Sequence, residues 1–407
     1  MRKMKRKIVT LGGVLVLTAA VLAGCGTKEK ENTQSAVLPS GVEKQEESKE
    51  KAGTSGAVTA EVKNATVLKD AFQNDFTVGA AISLGALNNE EQMAFVEKYY
   101  NRVTMGNELK PDSLLDGPAT EKSKDKMPEI RTDNLDRILE AVQEKGLKLR
   151  GHCLVWHSQT PDWFFAKDYE PSKGLADKKT MRKRMEAYIK KVLTYCQENY
   201  PGVIYAWDVV NEAMGDDGGY RTESGWYETY GDESYIMDAF TFARKYAGED
   251  VKLFYNDYNE YVEEKRDLIV ELIHSLREKG LVDGMGMQSH WDMGFPSVDM
   301  LEDALAEYGK IDGLEIQLTE IDMHNTDDTE EGLQRQAERY REFFEVIMRA
   351  KRTGIANITN ITFWGMTDED SWLSGFKGET SYPLLFDEEF KEKPCFDSVM
   401  DTAKKEY

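Results

Sequence analysis

The sequence predicts an α/β fold: a closed (β/α)8 TIM barrel formed by residues 64–407, preceded by an export signal and a flexible linker. Two observations carry this. Eight strand-like runs recur along the chain with helix-patterned stretches between them, and no Gly-rich G-x-G-x-x-G turn follows the first run, which disfavours a doubly wound dinucleotide-binding sheet.

The runs are 76–83 (FTVGAAIS), 100–108 (YNRVTMGNE), 148–156 (KLRGHCLVW), 204–212 (IYAWDVVNE), 251–259 (VKLFYNDYN), 284–291 (GMGMQSHW), 314–323 (LEIQLTEIDM) and 358–368 (ITNITFWGMTD). Short apolar runs bounded by turn residues read as strands buried on both faces, as in a parallel sheet, although periodicity alone does not separate them from buried helix. Between the third and fourth runs, Met181, Met185, Tyr188, Ile189, Val192 and Cys196 recur at the spacing that places an apolar stripe on one helix face.

Upstream of the barrel the chain begins with Arg2, Lys3, Lys5, Arg6 and Lys7, then an apolar run over 8–22 and the small residues Ala23 and Gly24. This is the layout of an export signal, too short for a comfortable membrane span. Residues 22–25 (LAGC) also resemble the bacterial lipoprotein box, which implies 1–24 as the signal peptide and Cys25 as the lipid-bearing residue of a protein held at the outer face of the bacterial cell membrane; the alternative is an ordinary cleaved signal peptide with an incidental cysteine and a secreted protein. Residues 25–63 are rich in Lys, Glu, Ser, Thr and Gly with few large apolar side chains, a composition that cannot offset ordering entropy and reads as a disordered linker.

The charge balance of 52 Lys+Arg against 74 Asp+Glu, net −22, disfavours nucleic acid as a partner and favours a neutral ligand. Beyond Cys25 only Cys153, Cys196 and Cys395 remain, without metal-ligand spacing. They indicate neither a zinc site nor a disulfide framework, although one pair could be bridged.

Function is written at the run ends. Glu212 closes the fourth run behind Asn211, and Glu320 lies near the end of the seventh with Asp322 two residues on. The C-terminal ends of parallel strands are where barrels bind ligands, and two carboxylates in one pocket suggest glycosidic bond cleavage. Other ends supply Asn107, Glu108 and Lys110; His152, Trp156, His157 and Gln159; Gln288, His290 and Trp291; and Trp364, Asp368 and Trp372. A sugar needs directed hydrogen bonds for its hydroxyls and flat aromatic faces for its C–H faces. Singly, each residue has a plainer reading: a lone Trp is core, and Lys110 balances Glu108. Their co-occurrence at six run ends favours the sugar site.

The segments 151–159 (GHCLVWHSQ), 207–213 (WDVVNEA), 255–259 (YNDYN), 286–290 (GMQSH), 319–323 (TEIDM) and 364–372 (WGMTDEDSW) resemble the signatures of glycoside hydrolase family 10, the endo-β-1,4-xylanases, in order and spacing. The resemblance covers the chain from about residue 65 onward. It implies an enzyme acting on xylan and xylo-oligosaccharides with retention of configuration; no cofactor is expected, and a monomer is expected although the sequence does not fix oligomeric state. In that scheme Glu212 is the acid/base, protonated in the free enzyme, and Glu320 the nucleophile, with the carboxyls about 5 Å apart. His290 and Asp322 match the partners that orient the nucleophile, and Asn211 the residue that bonds the sugar 2-hydroxyl. Asn107, Lys110, His152, Trp156, Gln159 and Gln288 match glycone-subsite positions. Trp364 and Trp372 match the tryptophans that cap them, where an indole over carbon 5 leaves no room for glucose's hydroxymethyl group. One departure stands out: the family usually has Glu before the Asn of the second-strand motif, and here the position is Gly106. Losing that acceptor should weaken one hydroxyl contact at the second glycone subsite by about 1 kcal/mol unless a loop residue or water replaces it.

His152 and His157 are not read as a metal pair, because five residues apart on one strand they point to opposite faces. His324 receives no role, and Asn256 and Tyr258 read equally as barrel packing or substrate contacts. Two rival functions remain: a lipid-anchored sugar-binding protein of a transporter, and a barrel hydrolase acting on glucan or mannan.

Overall fold

The computed structural model describes residues 58–407. The export signal, Cys25 and most of the linker lie outside the described residues. Within residues 58–63, which the sequence reading gives to the linker, Ala60–Lys63 forms one helical turn capped by Thr59, with Val62 buried.

Eight parallel strands close on themselves: β1 (Thr77–Ile82), β2 (Arg102–Met105), β3 (Lys148–Gly151), β4 (Ile204–Asn211), β5 (Lys252–Asp257), β6 (Gly284–Met287), β7 (Glu315–His324) and β8 (Ile358–Phe363). Each pairs with the next, and β8 pairs back onto β1 with Thr77 opposite Asn360. Helices cover the outside: α1 (Glu90–Tyr99), α2 (Asp133–Glu144), α3 (Lys178–Asn199), α4 (Ser234–Tyr246), α5 (Glu263–Arg277), α6 (Val298–Gly309), α7 (Glu330–Arg352) and α8 (Pro394–Ala403). The expected (β/α)8 barrel is what forms. Helix α3 starts where the Asp177 carboxylate accepts the Thr180 amide hydrogen, and its stripe from Met181 to Cys196 is fully or almost fully buried.

Several strands are shorter than the runs that announce them. β2 stops at Met105, and β8 stops at Phe363, so Trp364 and Asp368 lie beyond it. The third run breaks after Gly151 and resumes as Val155–Trp156 against β4; the sixth breaks after Met287 and resumes as His290–Asp292 against β7. These breaks fall at the C-terminal rim. There, backbone that leaves the ladder can turn a side chain inward.

The barrel interior is unusually polar for an architecture normally filled with branched aliphatic layers. Arg150 of β3 is 1% exposed, pairs with Asp208 of β4, and donates from Nε to Gln317 of β7 at 3.0 Å. A buried ion pair adds little net stability but is costly to break on one side. Here it also fixes Asp208, which lies 2.9 Å from Nδ1 of His152 at the rim. Gly286 leaves space for this layer, since a Cβ there would sit 2.2 Å from Oδ1 of Asn256. Cys153, Cys196 and Cys395 are all buried free thiols, so none of the pairs left open by the sequence is bridged.

Candidate active site

The C-terminal ends of the strands open into a cleft of about 880 Å³. Its walls include Asn107, Lys110, His152, Trp156, Gln159, Glu212, Gln288, His290, Glu320, Trp364 and Trp372. Asn211 and Asp322 lie behind the wall, 2% and 0% exposed. Every site residue proposed for the folded domain is therefore at this rim; Cys25 lies outside the described residues.

Glu212 follows β4 directly and has a positive φ of 56°, a region a non-glycine residue rarely occupies. The turn brings its carboxylate into the cleft among N–H donors. Oε2 accepts from the Trp156 indole at 2.8 Å, while Oε1 accepts from Gln288 at 2.9 Å and Asn211 at 3.1 Å. Nδ1 of His157 stands 3.7 Å from Oε2. Burial, opposed in part by the charge of Glu212, lowers the His157 pKa and favours the neutral imidazole.

Glu320 sits within β7 and is 4% exposed. Its Oε1 accepts from Asn256 at 2.8 Å, and its Oε2 lies 3.3 Å from Nε2 of His290. The other ring nitrogen of His290 is 2.8 Å from Asp322, whose second oxygen accepts the Trp372 indole N–H at 2.8 Å. Burial works against the imidazolium, but Asp322 and Glu320 outweigh it and raise the His290 pKa to about 10. Burial likewise disfavours the Glu320 carboxylate, yet the His152 imidazole, His290 and Asn256 together bring its pKa down to about 2. Glu320 is thus ionised across the neutral range.

The two glutamates belong to one network. Asn211 donates to Glu212, accepts from Asn256 at 2.8 Å, and Asn256 donates in turn to Glu320. Asn256 is fully buried, and Thr319 donates to its Oδ1 at 2.7 Å, which orients the amide. Of the two roles the sequence left open for it, packing and substrate contact, the structure supports a third, holding the carboxylates.

Lys110 does not balance Glu108. Its Nζ donates to Asn107 at 3.2 Å and Gln159 at 3.0 Å, whereas Glu108 accepts the amide hydrogens of Leu84 and Asn107. The strand-alternation argument for His152 and His157 also fails, because β3 ends before either. They separate for another reason: His152 faces Asp208 and His157 faces Glu212. His324, given no role, lines the cleft and sits 2.9 Å from the Ser381 hydroxyl, and Tyr258 lines it as well. Tyr261, Phe295 and Phe376 are further lining aromatics that sequence reasoning passed over. Phe295 and Phe376 gave only the signal of large apolar residues in loop sequence.

A sequence model of Glycosyl hydrolase family 10 matches residues 67–402. Among curated proteins, the chain is 45% identical over 340 residues to endo-1,4-beta-xylanase B of Butyrivibrio fibrisolvens, covering 83% of this chain and 53% of that protein. It is 43% identical over 307 residues to a putative endo-1,4-beta-xylanase of Caldicellulosiruptor saccharolyticus, covering 72% of this chain and 97% of that one. The chain thus spans about half the length of the first relative and nearly all of the second. Among solved structures, the CBM22-1 and GH10 modules of Clostridium thermocellum endo-1,4-beta-D-xylanase 10B, complexed with xylohexaose, superpose with a TM-score of 0.77 at 36% identity, covering 83% of this chain and 68% of that chain. An intracellular xylanase of Thermoanaerobacterium saccharolyticum, a glutamate-to-alanine mutant with xylotetraose, superposes at 0.73 with 32% identity, covering 83% and 98%.

Proposed function

The chain belongs to glycosyl hydrolase family 10, and from that premise we propose that it is a retaining endo-1,4-β-xylanase cleaving xylan and xylo-oligosaccharides through a covalent glycosyl-enzyme. One observation carries the mechanism: two glutamates joined through Asn211 and Asn256 open on one cleft, with Glu320 kept charged against burial by His152, His290 and Asn256.

In the first step a Glu320 oxygen attacks the anomeric carbon while the glycosidic C–O bond breaks and Glu212 gives its proton to the departing oxygen. Esterification removes the Glu320 charge. Glu212, now a carboxylate, takes a proton from water, the hydroxide oxygen bonds to the anomeric carbon, and the ester bond to Glu320 breaks. Trp156, Gln288 and Asn211 aim Glu212 at the leaving oxygen; Asn256 and His290 aim Glu320 at carbon. The aromatic faces of Trp364 and Trp372 with the polar groups of Asn107, Lys110, His152 and Gln159 suit xylosyl rings.

Reducing-sugar release from xylan tests this. Glu320→Ala should abolish release, and Glu212→Ala should lose about 10²–10⁴-fold and regain turnover with azide as a β-xylosyl azide product. Equal release by wild type and Glu320→Ala would remove the mechanism. Anchoring is a separate proposal supported by residues 22–25 (LAGC) alone: labelled fatty acid should enter the protein in a bacterial host but not the Cys25→Ser variant, and labelling of both would defeat it.

A further inference from the structure

Glu260 lies in the loop after β5, is fully buried, and its carboxyl is hydrogen-bonded to Ser289 rather than to either proposed catalytic glutamate. A buried carboxyl is costly unless partnered. Its Oε1 accepts the backbone N–H of Ser289 at 3.2 Å and faces the Ser289 hydroxyl at 3.5 Å, while Oε2 has no hydrogen-bond partner.

Ser289 is the link that makes this placement informative. It lies in the break between β6 and His290–Asp292 and has a φ of 61°, a strained region for a residue with a side chain. Its two chain neighbours reach opposite members of the carboxylate pair: Gln288 donates to Glu212 at 2.9 Å, and His290 lies 3.3 Å from Glu320. Tyr261, next to Glu260, donates its hydroxyl hydrogen to the His290 carbonyl at 3.1 Å. Consecutive residues of one loop therefore grip the turn on both sides of the Ser289–His290 peptide. Such strain persists only where surrounding contacts over-determine it.

We infer that Glu260 is a positioning residue: its carboxyl accepts the Ser289 amide hydrogen, holds the left-handed turn, and thereby aims Gln288 and His290 at Glu212 and Glu320 together. This rests on the catalytic reading above. What the turn needs is an acceptor at Oε1. A glutamine keeps one there with the same length and shape; alanine removes it.

The test compares full-length Glu260→Gln and Glu260→Ala with wild type, using kinetics on xylotetraose per folded molecule and the ring ¹⁵N signals of His290, identified by their loss in His290→Gln. Glu260→Gln should stay within about threefold of wild type, whereas Glu260→Ala should lose kcat on the order of 10²-fold with KM little changed. Its acid limb should move to higher pH and its His290 ring signals should shift. A folded Glu260→Ala with wild-type kcat, pH profile and ring signals, whatever its Tm, overturns the inference; so does Glu260→Gln behaving like alanine. An inactive wild type would instead count against the catalytic reading, while the ring signals would still decide whether Glu260 positions His290.

Discussion

Nδ2 of Asn256 lies 2.8 Å from Oε1 of Glu320 and 2.8 Å from Oδ1 of Asn211, so one amide group holds the proposed nucleophile and the residue that braces the proposed acid. Asn256→Ala removes both bonds and leaves Thr319 without its 2.7 Å partner. The expected loss is about 10²-fold in kcat, because misplacement of a reacting group costs rate rather than binding. Kinetics on xylotetraose check this, and an unchanged kcat would show that Asn256 is packing only.

His290→Gln should change the pH profile in a definite direction. The Glu320 carboxylate is stabilised against burial by its neighbours, and its pKa of about 2 lies below the ordinary value of 4.5. Removing the imidazolium raises that pKa. The acid limb of kcat/KM, which reports ionisation of free Glu320, should then move upward by about 1 pH unit or more. The linked stability has the same sign: it is present above about pH 4.5 and lost as pH falls toward 2, and the variant should lose part of it. A limb that stays in place would place the control of Glu320 elsewhere.

Which parts of this were legible beforehand follows from what sequence encodes. Placement of Glu212 and Glu320 at the rim was readable because parallel strands buried on both faces stand out as apolar runs whose C-terminal parts form the cleft, although β7 runs on to His324, four residues past Glu320. Asn256 was not readable, since a polar residue inside a barrel looks the same whether it braces Arg150-like packing or a carboxylate. The left-handed residues Gln159, Glu212, Asn259 and Ser289 left no trace either, because none is glycine and their φ is imposed by tertiary contacts. For the same reason, the runs at 148–156 and 284–291 read as continuous strands although each breaks before its functional side chains.

Gly106 offers a gain-of-function test. It lines the cleft, and a Cβ there would meet only the Ile82 carbonyl, at 3.8 Å, so a longer side chain has room. Glu108 supplies no replacement acceptor, because it does not line the cleft and its two oxygens turn to the amide hydrogens of Leu84 and Asn107. Gly106→Glu should therefore add a hydrogen bond to a sugar hydroxyl worth about 1 kcal/mol, or roughly fivefold in KM for xylotriose. An unchanged or higher KM would mean the added carboxylate does not reach the sugar.

Trp372 does two things that substitution can separate. Its ring lines the cleft, 39% exposed, and its indole N–H ties Asp322, which in turn holds His290. If the ring excludes the hydroxymethyl group of glucose, Trp372→Ala should narrow the preference for xylo- over cello-oligosaccharides by about tenfold, since a pocket that rejects one small group discriminates by ~1–3 kcal/mol. Trp372→Phe keeps a flat face but not the N–H, so it should preserve the preference while lowering kcat through a looser Asp322–His290 pair. Measured kcat/KM ratios on xylotetraose and cellotetraose decide the matter. A preference that survives in the alanine variant would assign discrimination to Trp364 or to the polar wall, because nothing else about Trp372 distinguishes a pentose from a hexose.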